Sequence, residues 1–215
     1  MSENKGIIGL VWNVLRNPDE GFGMVNENDL MKGIVIEAVI VLLAVISTVW
    51  YTSKIPIEVL IPQLVGIDPA TMPSNLRLLS GIGVGVSILL GWILSTLLMH
   101  GLSHLLGGQG GLRKFFAING LAASPFLVNY LARTLDAYLI SKGAAINYFL
   151  LNRGIESRFF KAVLDMNLLN IFGLYSLILV VIGLQENYKL SRGKALLIAL
   201  SPWLLYFVLN FFTSG

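Results

Sequence analysis

Four residues combine a chemically capable side chain with a place inside a long apolar stretch. Glu37 lies in the first turns of the stretch that starts at Gly33, His100 and His104 lie near the end of the next, and Asn119 lies early in the third. Ionisable groups at such depth in an apolar medium are costly, so each raises a functional hypothesis by default. His100 and His104 are four residues apart, which puts them on one face of a helix. With a carboxylate nearby, that spacing makes Glu37, His100 and His104 a candidate divalent-metal site. The same histidines could instead relay protons. The plainer alternative is structural, because His and Asn side chains hydrogen-bond between membrane helices for about 0.6 kcal/mol each. The HExxH arrangement of metalloproteases is absent, and no catalytic set takes its place, so an enzyme is not expected.

Other residues have chemistry of a quieter kind. Arg133 and Asp136 are three apart and could pair on one helix face. Gly83, Ser87, Gly91 and Ser95 form a small-residue stripe that would let a second helix approach closely. The expected partner is the following span, through Gly120 and Ser124, with another copy of the chain as the alternative. The segment GGQGGLRK (Gly107–Lys114) is glycine-rich, but it lacks the GxxxxGK[ST] pattern of a phosphate loop. It reads as a tight hinge whose Arg113 and Lys114 could contact anionic lipid, at about 1 kcal/mol each.

The elements that must position these residues follow from composition. Of the 215 residues, 55% are apolar and only 13% charged, and the mean hydropathy is +0.76. One soluble core of this size cannot hide that much apolar surface. A bilayer can, and a spanning helix needs about 20 mostly apolar residues. Five windows qualify: 33–52, 81–106, 115–140, 167–185 and 195–212. The expected fold is therefore all-α, an integral membrane five-helix bundle, with kinks near Pro125 and Pro202. Residues 1–32 form a separate N-terminal segment, in which GIIGLVWNVL (Gly6–Leu15) is too short to cross and is expected to lie in the interface as a helix. The connection 53–80 holds Pro56, Pro62, Pro69 and Pro73 and reads as a structured loop. The connection 141–166 could hold a second interfacial helix around Phe159. Trp50 and Tyr51 read as an interface anchor and Trp203 as packing. The short links Gly107–Lys114 and Glu186–Lys194 pair the second span with the third and the fourth with the fifth.

The chain has no cysteine, which removes disulfides and thiolate chemistry, and its net charge of +3 is scattered, which does not point to nucleic acid. Basic residues favour an inside N-terminus and an outside C-terminus. Lys5, Arg16, Lys32, Arg113, Lys114, Lys189, Arg192 and Lys194 then face the cytoplasm, against Lys54, Arg77, Lys142, Arg153, Arg158 and Lys161 outside. Alternating spans place Glu37, His100, His104 and Asn119 near the same membrane surface.

Three segments carry a resemblance: LRNPDEGF (Leu15–Phe22), LLGGQGGLRKFFAINGLAASPFLV (Leu105–Val128) and LQENYKLSRGKALLIALSP (Leu184–Pro202). In this order and spacing the chain resembles the Yip domain family, the Ypt/Rab-interacting type of five-span membrane proteins, and most closely its prokaryotic branch. The resemblance covers nearly the whole chain. It implies a five-helix bundle with a cytoplasmic N-terminus and no catalytic residues. In eukaryotic members it implies roles in vesicle trafficking and binding of lipidated small GTPases. The expected function is a non-catalytic adaptor or organiser that works through membrane lipids and through other membrane proteins or itself, with no resident cofactor. The alternative is a small transporter or channel subunit with a Glu/His polar or metal site.

Overall fold

The computed structural model describes residues 6–60, 75–153 and 170–213. Every regular element among them is helical. Helices α1 (Ile7–Arg16) and α2 (Pro18–Gly23) lead through a 3-10 turn, Glu27–Asp29, into the long helix α3 (Leu30–Ser53). A short α4 (Ile57–Leu60) precedes α5 (Leu76–Leu105), and α6 (Leu112–Ala122), α7 (Pro125–Leu139), α8 (Lys142–Arg153), α9 (Ile171–Tyr188) and α10 (Arg192–Thr213) follow. Helices α3, α5, α9 and α10 are long and apolar enough to cross a membrane, and α6 with α7 adds a fifth span when the bent pair counts as one. The chain is thus an all-α, multi-pass membrane bundle.

Local chemistry explains where these helices start and bend. Ahead of α3, the Asn26 N–H donates to the Asp29 carboxylate at 2.9 Å and the Asn28 N–H donates to Asn26 Oδ1 at 2.9 Å. This reciprocal cap, with Lys32 paired to Asp29 at 2.7 Å, starts the span three residues before the Gly33 expected from hydropathy. Pro125 has no N–H, and α6 and α7 meet there at 42°. The Ser124 N–H bonds Leu121 O at 3.1 Å and the Phe126 N–H bonds Ala123 O at 2.8 Å. Ala122 O is thereby released from the helical ladder, and Ser176 Oγ of α9 donates to it at 2.9 Å. At Pro202 helix α10 continues unbroken. The carbonyl that Pro202 cannot bond belongs to Ile198, and Ser201 Oγ donates to it at 2.7 Å. Both prolines are tolerated because a hydroxyl supplies the missing donor in a medium without water. Ser176→Ala is accordingly expected to lower stability by about 0.6–1.7 kcal/mol. The check is the thermal midpoint in detergent, with Ser176→Thr retaining most of it.

Helix α3 is the central element and packs on α5, α6 and α7. Its crossing with α6 is a glycine pair. A Cβ built on Gly120 would lie 2.6 Å from Gly33 Cα, and one on Gly33 would lie 2.9 Å from Ala117 O. The crossing with α5 uses Gly81 and Gly85, where added Cβ atoms would meet Val49 at 2.6 Å and Val45 at 2.7 Å. The stripe expected from sequence does not make this contact, which leaves a second copy as the partner weighed for it. Gly83, Ser87 and Gly91 are exposed, a Cβ on Gly83 or Gly91 meets nothing, and Gly120 faces α3 instead of α5. Two residues along a helix turn the side chain by about 200°, so the rows through Gly81 and Gly83 occupy nearly opposite faces. Both rows have the same spacing, and only the position of α3 selects between them.

The N-terminal helices dock on the bundle. Leu10, Val14 and Phe22 are buried in one core with Ile118, Leu121 and Leu184. The Tyr175 hydroxyl donates to Leu15 O. On the opposite side of α1, Ile8 and Trp12 are 83% and 61% exposed. At the other end of α3, Lys54 Nζ donates to Tyr138 O at 2.6 Å and Ile140 O at 2.7 Å. A lysine there complements the carbonyl end of α7. Trp50 packs on Tyr138 with ring centroids 5.3 Å apart. Tyr51 does more than anchor, since its hydroxyl donates to Ala145 O of α8 at 3.0 Å. Helix α8 occupies a stretch that hydropathy leaves as a connection. The helix expected around Phe159 and the prolines at 62, 69 and 73 lie outside the described residues.

Candidate functional site

Two features of the bundle gather the chemically capable side chains, and they are separate. The first is a clasp at the end where α5 finishes and α6 begins. Gly107 has φ +90°, a left-handed turn that suits glycine. The following loop lies against the end of α9. The Gln109 N–H points to Tyr188 O at 3.4 Å, Asn187 Nδ2 donates to Gly111 O at 3.1 Å, and Lys194 Nζ donates to Leu106 O at 2.8 Å. A Cβ on Gly108 would sit 2.8 Å from Tyr188 Cβ, and one on Gly110 would clash with Asn187 O. Glycine is required here by the close approach of two segments of the chain.

Tyr188 is the centre of the clasp and is 1% exposed. Its ring lies 5.7, 5.8 and 5.2 Å from those of His100, His104 and Phe115. Its hydroxyl is 2.5 Å from His100 Nδ1. The two histidines do share a helix face, with their rings 4.5 Å apart and perpendicular. That face is turned to Tyr188.

The second feature is a cavity of about 380 Å³ inside the bundle. Glu37, Trp92, Asn119, Tyr130, Trp203 and Tyr206 are in its wall. Glu37 is 4% exposed. Asn119 is held differently: its Nδ2 donates to Thr96 Oγ1 at 2.6 Å, and Thr96 Oγ1 donates to Trp92 O at 2.6 Å. Asn119 therefore ties α6 to α5, the structural role open to it from sequence.

The clasp joins the second and third of the segments that carry the resemblance, and the core beside it takes in the first. The loop of the second touches the α9 end in the third, and Phe22 of the first is buried where a Cβ on Gly183 would meet Ile118 and Phe22. A model of the Yip1 domain matches residues 12–213, across every element that builds this core. The chain belongs to the Yip1 domain family. No curated protein and no solved structure matches it.

Within this Yip1 domain the three expected metal ligands are not brought together. Glu37 faces the cavity, whereas His100 and His104, in the last two turns of α5, face Tyr188. Among the described residues, no three His, Cys, Asp or Glu side chains are placed to hold one ion. Sequence places all three near one membrane surface. It cannot give the rotation of α3 and α5 about their axes, which packing decides. Arg133 lies over the Tyr130 ring, 5.5 Å from its centroid, and both Arg133 and Asp136 are exposed. Arg113 is exposed and Lys114 half-buried at the start of α6.

Two residues that organise these features carry no signal of their own in sequence. Tyr188 is one aromatic among many at a span end. Trp92 lies mid-span, packs edge-on against Phe116 at 5.2 Å, and keeps a buried Nε1–H without an acceptor among the described residues. The cap through Asn26 and Asp29 is the exception, since N-x-x-D before an apolar run is a recognisable helix start.

Proposed function

We propose that this Yip1-domain protein is a non-catalytic membrane adaptor or organiser, acting through lipid and through contacts with other membrane proteins or a second copy. One observation carries the reading. Four polar side chains within the spans bond across helices: Asn119 to Thr96, Ser176 to Ala122 O, Thr134 to Leu43 O, His100 to Tyr188. Their chemistry holds the bundle together, and the surface is left for partners. The basic pattern favours the clasp and α1 on the cytoplasmic side, with Arg113 and Lys114 near anionic headgroups and Trp12 at headgroup depth. Small GTPases enter as partners by family analogy.

A photo-crosslinking residue at Ser87, on the exposed face of α5, tests this in native membranes. The expected result is a discrete adduct with a membrane protein or a second copy, lost on Gly83→Trp. Adducts with lipid alone would remove the protein-contact half of the proposal. Metal analysis of purified protein is expected to show no stoichiometric ion, and one ion per chain would count against a cofactor-free adaptor. The cavity around Glu37 favours a second reading, a small transporter or channel subunit. Solute or ion flux in proteoliposomes above that of empty vesicles would support it, and equal flux would remove it.

A further inference from the structure

The Glu37 cavity has a composition that specifies a ligand. Among the described residues its wall contains no Lys, Arg or His, and apart from Glu37 no ionisable group other than tyrosine. Three of the polar neighbours are already engaged, and the Trp92 Nε1–H is a buried donor in the same wall that has no acceptor among the described residues. Asn119 donates to Thr96, Ser176 Oγ donates to Ala122 O at 2.9 Å, and Ser95 Oγ donates to Trp92 O at 3.0 Å. The Glu37 carboxyl is more than nine-tenths buried, no basic side chain shares its wall, and the hydroxyl-bearing Tyr130 of that wall interacts with it electrostatically. A carboxylate withdrawn from water is costly unless a cation or donor meets it. The rest of the wall is hydrocarbon and aromatic, including Ile40, Ile88, Met99 and Phe126.

The shape narrows the ligand further. The exposed members of the wall are Gly91 on α5 and Tyr206 on α10, so the cavity opens between these two helices, partway along both. Glu37 is seven residues into α3, about 10 Å below its start at 1.5 Å per residue. Access is therefore from the lipid side. About 380 Å³ falls in the range of small-molecule sites. The opening lies between two helices that pack on each other, which suits a flexible chain.

We propose that this cavity binds a single-chain membrane amphiphile with an ammonium head, whose charge meets Glu37 and whose chain lies along Trp92, Trp203 and Tyr206 toward the gap between α5 and α10. The site is independent of the adaptor role, which concerns the outer surface. A carboxylate–ammonium contact is a charge-assisted hydrogen bond, strongest where water is excluded. An acid of the same chain length would set two like charges together.

The test uses the full chain in phosphatidylcholine nanodiscs, with Trp12→Phe and Trp50→Phe so that Trp92 and Trp203 report. Bromododecylamine and bromododecanoic acid are titrated as fluorescence quenchers. The expected result is saturable quenching by the amine at about tenfold or more lower concentration than by the acid. Glu37→Gln, which keeps the shape, is expected to reduce that preference to near one. Gly91→Phe, placed in open space beside the cavity mouth and silent in the tryptophan signal, is expected to abolish saturation while the protein stays monodisperse. Linear quenching without saturation, equal affinity for amine and acid, or a preference unchanged in Glu37→Gln would each overturn the proposal. Failure here leaves the crosslinking result at Ser87 untouched, so the two ideas fail separately.

Discussion

Gly120→Val is expected to prevent the bundle from forming a stable, monodisperse species, while Gly83→Val leaves it intact. Both residues are small, both lie in spans, and both are candidates for close helix packing. Their surroundings differ completely. An added Cβ on Gly120 would lie 2.6 Å from both Gly33 Cα and Gly33 O, and nothing surrounds one on Gly83. At Gly120 the obstructing atoms are backbone, so no side chain can rotate aside. Helices α3 and α6 would have to separate, and α3 is the element on which α5, α6 and α7 all pack. Overpacking usually costs about 1–3 kcal/mol, and a rigid backbone contact belongs at or beyond the upper end. Thermal midpoints and elution profiles in one detergent provide the check. Equal midpoints for Gly120→Val and the parent protein would show that the glycine crossing is not a packing contact. A large loss in Gly83→Val would restore the outer stripe as the intramolecular interface.

Tyr188→Ala is expected to cost about 3–5 kcal/mol, the range for truncating a large buried aromatic side chain. Tyr188→Phe removes only the hydroxyl that meets His100, for about 0.5–1.5 kcal/mol. The gap between the two variants measures how far the clasp depends on ring packing against His104, Phe115, Gly108 and Gly110. The local readout is proteolysis in the loop Gly107–Gly111. Cleavage there should rise sharply in Tyr188→Ala and little in Tyr188→Phe, because the alanine leaves the loop glycines facing a void. If Tyr188→Ala and Tyr188→Phe behaved alike, the hydrogen bond to His100 and not the packed ring would be the main contribution. If neither changed cleavage, the loop would be held by Asn187 and Lys194 alone.

The clasp also gives a physical reason for three loose motifs. GGQGG, QENYKLSRGK and PDEGF look unremarkable when taken singly. Their glycines and aromatics occur where they do because the α5–α6 loop lies on the α9 end and Phe22 fills the space behind Gly183. A family pattern of this kind records mutual packing, and it does not require a shared reaction.

Sequence by itself determined where the apolar spans lie and what they are made of. Hydrocarbon thickness sets a length that 33–52, 81–106, 115–140, 167–185 and 195–212 satisfy; four of these carry one long apolar helix, and 115–140 carries a bent pair that makes a fifth span when counted as one. It marked Pro125 as a place for a bend, but the same missing N–H at Pro202 leaves α10 continuous, so the residue permits a break and the surrounding packing decides it. Tertiary structure alone decided how each helix is rotated about its own axis. That rotation turned Gly81 and Gly85 inward instead of Gly83, aimed His100 and His104 at Tyr188, and left Glu37 facing a cavity. The partners responsible are far away in the chain: Tyr188 is 88 residues from His100, and Ser176 is 54 from Ala122. A hydropathy window spans about 20 residues, so it registers how apolar a helix is and carries no term for what stands opposite.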